Sequence, residues 1–98
     1  MTELTISLEE NGSKGRYYAR PDTVGPEAEL TFSRTSDSLI IIDHTGVPDA
    51  LRNTGIGVAL VARAVEDARH GGYRILPLCP FAAAQFRRNP DWADVLSR

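Results

Sequence analysis

The sequence predicts an α/β fold of the α+β kind. It combines a mixed, mainly antiparallel sheet of about five strands, one long helix between the fourth and fifth strands, and short C-terminal helices. Three observations predict it. The first third of the chain alternates apolar and polar residues with period two and breaks at turn residues, the pattern of half-buried antiparallel strands. Leu39-Ile40-Ile41-Ile42 is a continuous apolar run near the middle. The one long stretch of helical periodicity lies between that run and a later β-like segment, so those two strands are expected to be parallel neighbours joined by a right-handed crossover.

In chain order, Leu4, Ile6 and Leu8 fall on one face of a first strand, with Glu3, Thr5 and Ser7 on the other. Asn11-Gly12-Ser13 is a turn signal, and Arg16-Tyr17-Tyr18-Ala19-Arg20 reads as the returning strand of a hairpin, with one tyrosine in the core and one outside. Pro21, Gly25 and Pro26 mark a loop. Residues 29–33 alternate again, with Leu30 and Phe32 on the apolar side. Such a meander needs a cover on its apolar face. The run 39–42 reads as a central strand covered on both faces. It ends within residues 43–48, because Pro48 has no N–H to give to a ladder.

Val58, Val61, Ala62, Val65 and Ala68 recur at spacings of three and four, opposite Arg63, Glu66, Asp67 and His70. This predicts an amphipathic helix of about four turns starting after Gly55. Gly71-Gly72 supplies a left-handed residue to close it. A fifth strand follows at residues 73–78, a short helix at 81–88 stopped by Asn89-Pro90, and a last turn at 92–96 in which Trp92 packs on the core.

Composition narrows the function classes. The 98 residues carry eleven Lys and Arg against thirteen Asp and Glu, a net charge of −2. That argues against a general nucleic-acid footprint, which needs a basic excess. No apolar run approaches the roughly 20 residues that span a bilayer, and the N-terminus lacks a signal-peptide pattern, so no membrane partner and a cytoplasmic location are expected. With one cysteine, Cys79, and two histidines, His44 and His70, no metal site is expected. Residues 1–98 are expected to form one domain.

The functional signal is Arg52-Asn53-Thr54-Gly55-Ile56-Gly57, between a central strand and the start of the long helix. A helix start leaves backbone N–H groups unpaired and carries partial positive charge, so it attracts phosphate. Glycines let backbone approach a ligand closely, and Arg52 adds a planar cation suited to phosphate oxygens. The loop lacks the Gly-Lys-Ser/Thr ending of a Walker loop, since Val58 follows Gly57. It also lacks the third glycine of a dinucleotide fingerprint, since Leu60 stands there. From spacing alone it is either a diphosphate cradle or a loop that merely turns the chain into a helix.

The Arg-x-x-Gly-x-Gly element after a strand resembles the pyrophosphate loop of the GNAT acetyltransferase superfamily. The run from Asp43-His44-Thr45-Gly46-Val47-Pro48 to Arg52, with Pro77-Leu78-Cys79-Pro80-Phe81-Ala82-Ala83-Ala84-Gln85-Phe86 and then Asn89-Pro90 and Trp92, resembles the compact YJDJ-type, N-acetyltransferase-domain-like branch. The resemblance implies a single acetyl-CoA-binding domain and transfer of an acetyl group to an amine acceptor. It implies that Arg52, Asn53, Thr54, Gly55, Ile56, Gly57 and Val58 hold the coenzyme A diphosphate, and that Val47 offers a backbone N–H to the thioester oxygen. Fixed donors aimed at a developing oxyanion are usually a large contribution in acyl transfer. Asn53-Thr54 stands where Gly-Lys is more usual, Gly46 where a larger residue is, and no tyrosine matches the catalytic tyrosine of larger relatives.

Cys79 and His44 lie at the ends of the two strands expected to be neighbours, so they are the candidate catalytic residues flanking one slot. Cys79 would protonate the departing thiolate while His44 accepts the amine proton, or Cys79 would take the acetyl group itself with His44 as base. A free thiol ionises near pH 8.5, which suits either role. A lone cysteine is also commonly just a small buried hydrophobe. The alternative functions are a non-catalytic module that binds coenzyme A or its thioesters, and an interaction domain.

Overall fold

A computed structural model describes residues 5–21 and 25–97; Glu3 and Leu4 of the expected first strand lie outside the described residues. One five-stranded sheet runs in sequential order: β1 (Ser7–Asn11), β2 (Lys14–Ala19), β3 (Ala28–Ser36), β4 (Leu39–Gly46) and β5 (Arg74–Pro77). The first four are antiparallel neighbours, and β4 and β5 are parallel. The crossover between them is α1 (Ile56–Gly71), and α2 (Pro80–Arg88) and a 3-10 turn (Pro90–Val95) follow β5. This is the expected mixed sheet with its one long helix.

Period-two alternation sends Tyr17, Leu30, Phe32, Ile40, Ile42 and Ile75 to one face, each at most 2% exposed. There they form one cluster with Leu60, Val61, Ala64, Val65 and Ala68 of α1. The buried stripe of α1 is therefore rotated from the expected one: Leu60 and Ala64 are inside and Val58 is exposed. Sequence spacing left this open because α1 has apolar residues on more than one side. Gly72 closes α1 in the left-handed region (φ 73°), as only a residue without a Cβ does at no steric cost. Trp92 packs against the core with its ring edge-on to Phe86, centroids 5.6 Å apart.

The opposite face of the sheet carries a polar lattice. Lys14 donates to the Ser33 hydroxyl, which donates to Asp43, both at 2.7 Å. Arg16 pairs with Glu27 and Glu29 and stacks over the Tyr18 ring at 4.2 Å. The acidic partners hold the Arg16 guanidinium well above its ordinary pKa, the Glu29 hydrogen bond foremost. Among the described residues no helix covers this face. The expectation that β4 is covered on both sides is thus corrected: β4 is central in its hydrogen bonding, but Ile41 on the polar face is only half-buried.

The register of β3 against β4 slips twice, once between Arg34 and Ser36 near the start of β4 and once between Thr31 and Phe32 near its end. Thr31 faces His44 and Phe32 faces Ile42, so Asp43 is an extra residue in β4. A bulge of this kind leaves one residue unpaired and shifts the side-chain alternation by one. Asp43 and His44 both end on the uncovered face, and Thr45, opposite buried Leu30, returns to the α1 side.

Candidate active site

After β4 the chain passes Val47 and Pro48, makes a 3-10 turn at Asp49–Leu51, and reaches α1 through residues 52–55. Asn53 (φ 64°) and Gly55 (φ 83°) are both left-handed. The Thr54 hydroxyl bonds the Leu51 carbonyl and receives the Ile56 N–H at 3.4 Å, which pins the turn. The first intrahelical bond runs from Ala59 N–H to the Gly55 carbonyl at 3.0 Å. Gly55 is the N-cap, with no side chain to bond the helix amides and no acidic residue in the first turn.

Among the described residues, the N–H groups of Gly57 and Val58 therefore meet no protein acceptor. Of the amides from Asn53 to Val58 that the resemblance implied, those of Asn53 and Gly55 likewise meet no protein acceptor among the described residues, while two are engaged by the turn itself. The N–H of Arg52 goes to Asp49, that of Thr54 to Leu51 and that of Ile56 to the Thr54 hydroxyl. The side chain of Arg52, 72% exposed, has its Nε 3.1 Å from Asp49 Oδ1.

These groups open onto a cleft of about 540 Å³ whose walls are Thr45 and Val47, residues 51–53 and 55–58, and Phe81, Gln85 and Arg88 of α2; Thr54 does not line it. The cleft exists because β4 and β5 part. Their ladder ends where the N–H groups of Leu78 and Cys79 both reach the Ile42 carbonyl, at 3.2 and 3.3 Å. Beyond that point β4 continues to Gly46 while Pro80, at the first helical position, turns the segment after β5 into α2. The N–H of Val47 likewise has no protein acceptor among the described residues. Gly57 forms the narrow part of the wall: a Cβ there would stand 2.9 Å from Phe81 Cζ and 3.1 Å from Val47 Cγ2.

Cys79, 6% exposed, is the N-cap of α2, with its Sγ 3.5 Å from Thr45 Oγ1. Burial opposes ionisation of the thiol most strongly. The Thr45 hydroxyl and the backbone amides of Ala82 and Phe81 together outweigh it, so its pKa sits below the ordinary value. The neutral thiol makes no finished cap bond to those amides; they act on the thiolate. Thr45, not His44, is the partner of Cys79. The two strands are neighbours as expected, but the bulge at Asp43 sends the His44 side chain to the polar face, where its Nε2 lies 3.2 Å from the place a Cβ would take on Gly46. A Cys79–His44 pair across one slot is therefore not what the fold builds.

Thr45, Phe81, Gln85 and Arg88 were not singled out from the sequence as cleft residues. The last three recur at positions i, i+4 and i+7 of α2, a spacing that marks one helix face. The spacing cannot say which neighbour that face meets. Among the described residues no three His, Cys, Asp or Glu side chains converge as a metal ion requires, and no helix is long and apolar enough to cross a membrane.

The model of a family described as GCN5-related N-acetyl-transferase matches residues 16–95. The chain belongs to the GCN5-related N-acetyltransferase family. The NMR solution structure of a GCN5-like candidate N-acetyltransferase from Staphylococcus aureus is similar, with a TM-score of 0.70 and 31% sequence identity over 93% of this chain and 87% of that one. No curated protein matches the sequence. In this GCN5-related N-acetyltransferase, among the described residues everything before β4 is strand or connection, and the cleft walls come from the end of β4, the start of α1 with its preceding loop, and α2.

Proposed function

We propose that the chain binds acetyl-coenzyme A in this cleft and transfers the acetyl group to an amine. The observation that carries the reading is the pair of free amides on Gly57 and Val58, opening at a helix N-terminus onto a cleft whose ionisable wall residues, Arg52 and Arg88, are both cationic. A linked diphosphate satisfies such donors. Having no side chain, Gly57 keeps this wall clear at its tightest point, where a Cβ would crowd Phe81 at 2.9 Å and Val47 at 3.1 Å.

Bound acetyl-coenzyme A supplies an acyl thioester, whose carbonyl carbon is the electrophile. In this reading the N–H of Val47, which meets no protein acceptor among the described residues, polarises the thioester carbonyl oxygen. An amine nitrogen bonds to that carbon as the carbon–sulfur bond breaks. Cys79, whose pKa is lowered, gives its proton to the departing thiolate, and the Thr45 hydroxyl and the first α2 amides stabilise the Cys79 thiolate left behind. Solvent then returns the proton to Cys79. The proton lost by the amine goes to solvent, or to the His44 imidazole for an amine that arrives over the uncovered sheet face, where that ring lies. The same reading sets the protein in the cytoplasm with a small-molecule or protein amine as acceptor.

The test is incubation with labelled acetyl-coenzyme A and a panel of amines, comparing wild type with Cys79→Ala and His44→Ala. Transfer by wild type that is unchanged in Cys79→Ala would remove Cys79 from the mechanism. A second reading, a coenzyme A-binding module without turnover, is favoured by the 6% exposure of Cys79 and its separation from His44. Calorimetric binding of coenzyme A without acetyl transfer to any amine in the panel would select it.

A further inference from the structure

We infer that Arg88 reads a phosphate other than the diphosphate, and so makes the cleft selective for coenzyme A over its 3′-dephospho form; the inference rests on the proposed binding of acetyl-coenzyme A. The cleft-facing side of α2 is graded. Phe81 meets Gly57 and Val47 where the strands part, Gln85 is 4% exposed at the middle, and Arg88 is exposed at the end of the helix. Seven residues of helix separate the first from the last by about 10 Å along the axis. A ligand lying along this face meets an apolar contact, then an amide, then a cation.

The two cleft cations are not equivalent. Arg52 already has Asp49 on its Nε at 3.1 Å. Arg88 has no ion pair and no side-chain hydrogen bond among the described residues. The α1 N-terminus supplies the amides that a diphosphate needs, and Arg88 lines the same cleft from a different element, α2. An uncommitted guanidinium facing the same cleft from α2 is thus left for a separate anion. A guanidinium meets a terminal phosphate with two parallel N–H donors, a geometry that an amide or an ammonium does not reproduce. In coenzyme A the separate anion is the ribose 3′-phosphate.

Calorimetry of coenzyme A and 3′-dephospho-coenzyme A against wild type, Arg88→Gln and Arg88→Lys tests this. Wild type is expected to bind coenzyme A about tenfold more tightly than the dephospho form, a loss typical of one charged hydrogen-bonded contact. Arg88→Gln is expected to bind the two equally, at the wild-type affinity for the dephospho form, with Arg88→Lys between. If Arg88→Gln weakens both ligands alike, or neither, the assignment of Arg88 is overturned while coenzyme A binding stands. If wild type binds neither ligand, the underlying reading and this inference fall together. Exposed Arg88 contributes nothing to the core, so thermal unfolding of the variants is expected to match wild type.

Discussion

Replacing Gly57 by Ala separates the binding role of the cleft from its structural role. Gly57 is at the second position of α1 and is buried, yet what its absent side chain would touch is cleft wall. A Cβ would lie 2.9 and 3.2 Å from two atoms of the Phe81 ring and 3.1 Å from Val47 Cγ2. The first distance requires movement, and Phe81, 37% exposed, is the group free to move. Overpacking costs about 1–3 kcal/mol in a closed core, and less where a half-open ring can swing. Replacing Gly by Ala within a helix returns up to about 1 kcal/mol. Stability should therefore change by no more than about 1 kcal/mol, a shift of roughly 4–8 °C at most for a domain of this size.

Coenzyme A affinity should fall at least tenfold, because the added methyl and the ring it displaces both stand in the cleft wall and narrow the cleft. Thermal melts and titration calorimetry on the same preparations measure both quantities. Adding Phe81→Ala to Gly57→Ala should restore part of the affinity, since it removes the ring that the methyl displaces; residues in contact are expected to be non-additive in this way. Unchanged affinity in Gly57→Ala would refute binding of the coenzyme arm against this wall.

Three further outcomes are expected. Thr45→Val removes the hydroxyl that helps hold the Cys79 thiol pKa down, so the midpoint of Cys79 alkylation against pH should move upward; an unmoved midpoint would show that Thr45 does not stabilise the thiolate. Tyr17, whose hydroxyl donates to Asp67 at 2.6 Å, has its pKa raised, by burial first and by Asp67 next. The folded chain keeps a proton that the unfolded chain releases near pH 10, so this contribution is intact below that pH and lost above it. Tyr17→Phe should cost about 1–2 kcal/mol at pH 7 in urea unfolding and flatten the alkaline decline; a decline of wild-type steepness in the variant would contradict the assignment. Ile40→Ala, at a fully buried position between α1 and the sheet, should cost about 2–5 kcal/mol in the same assay, and a loss below 1 kcal/mol would mean the core there is not close-packed.

Much of the architecture was legible because local patterns carried it. The start of α1 after Gly55 and its stop at Gly72 were both written in residues that tolerate the left-handed conformation. The turn at residues 11–13 and the stop at Asn89-Pro90 were marked in the same local way. The parallel pairing of β4 with β5 followed from the length of helix between them. The glycine loop before α1 was legible for the same reason, since a glycine at a helix start has a local conformational signature.

By itself the sequence determined the order of the strands and helices, the place of the glycine loop, and the position of Cys79 at a strand end. Only the tertiary structure decided which side chains share a face. Strand side chains alternate with period two, so one extra residue at Asp43 moves His44 to the polar face and brings Thr45 to Cys79. That insertion exists only as a mismatch with β3, and nothing within residues 39–46 alone reports it. The same holds for Phe81, Gln85 and Arg88: their spacing makes them one helix face, but packing of α2 beside the parted strands makes that face a cleft wall. Periodicity is a property of a segment, whereas register and docking are properties of a pair of segments distant in the chain.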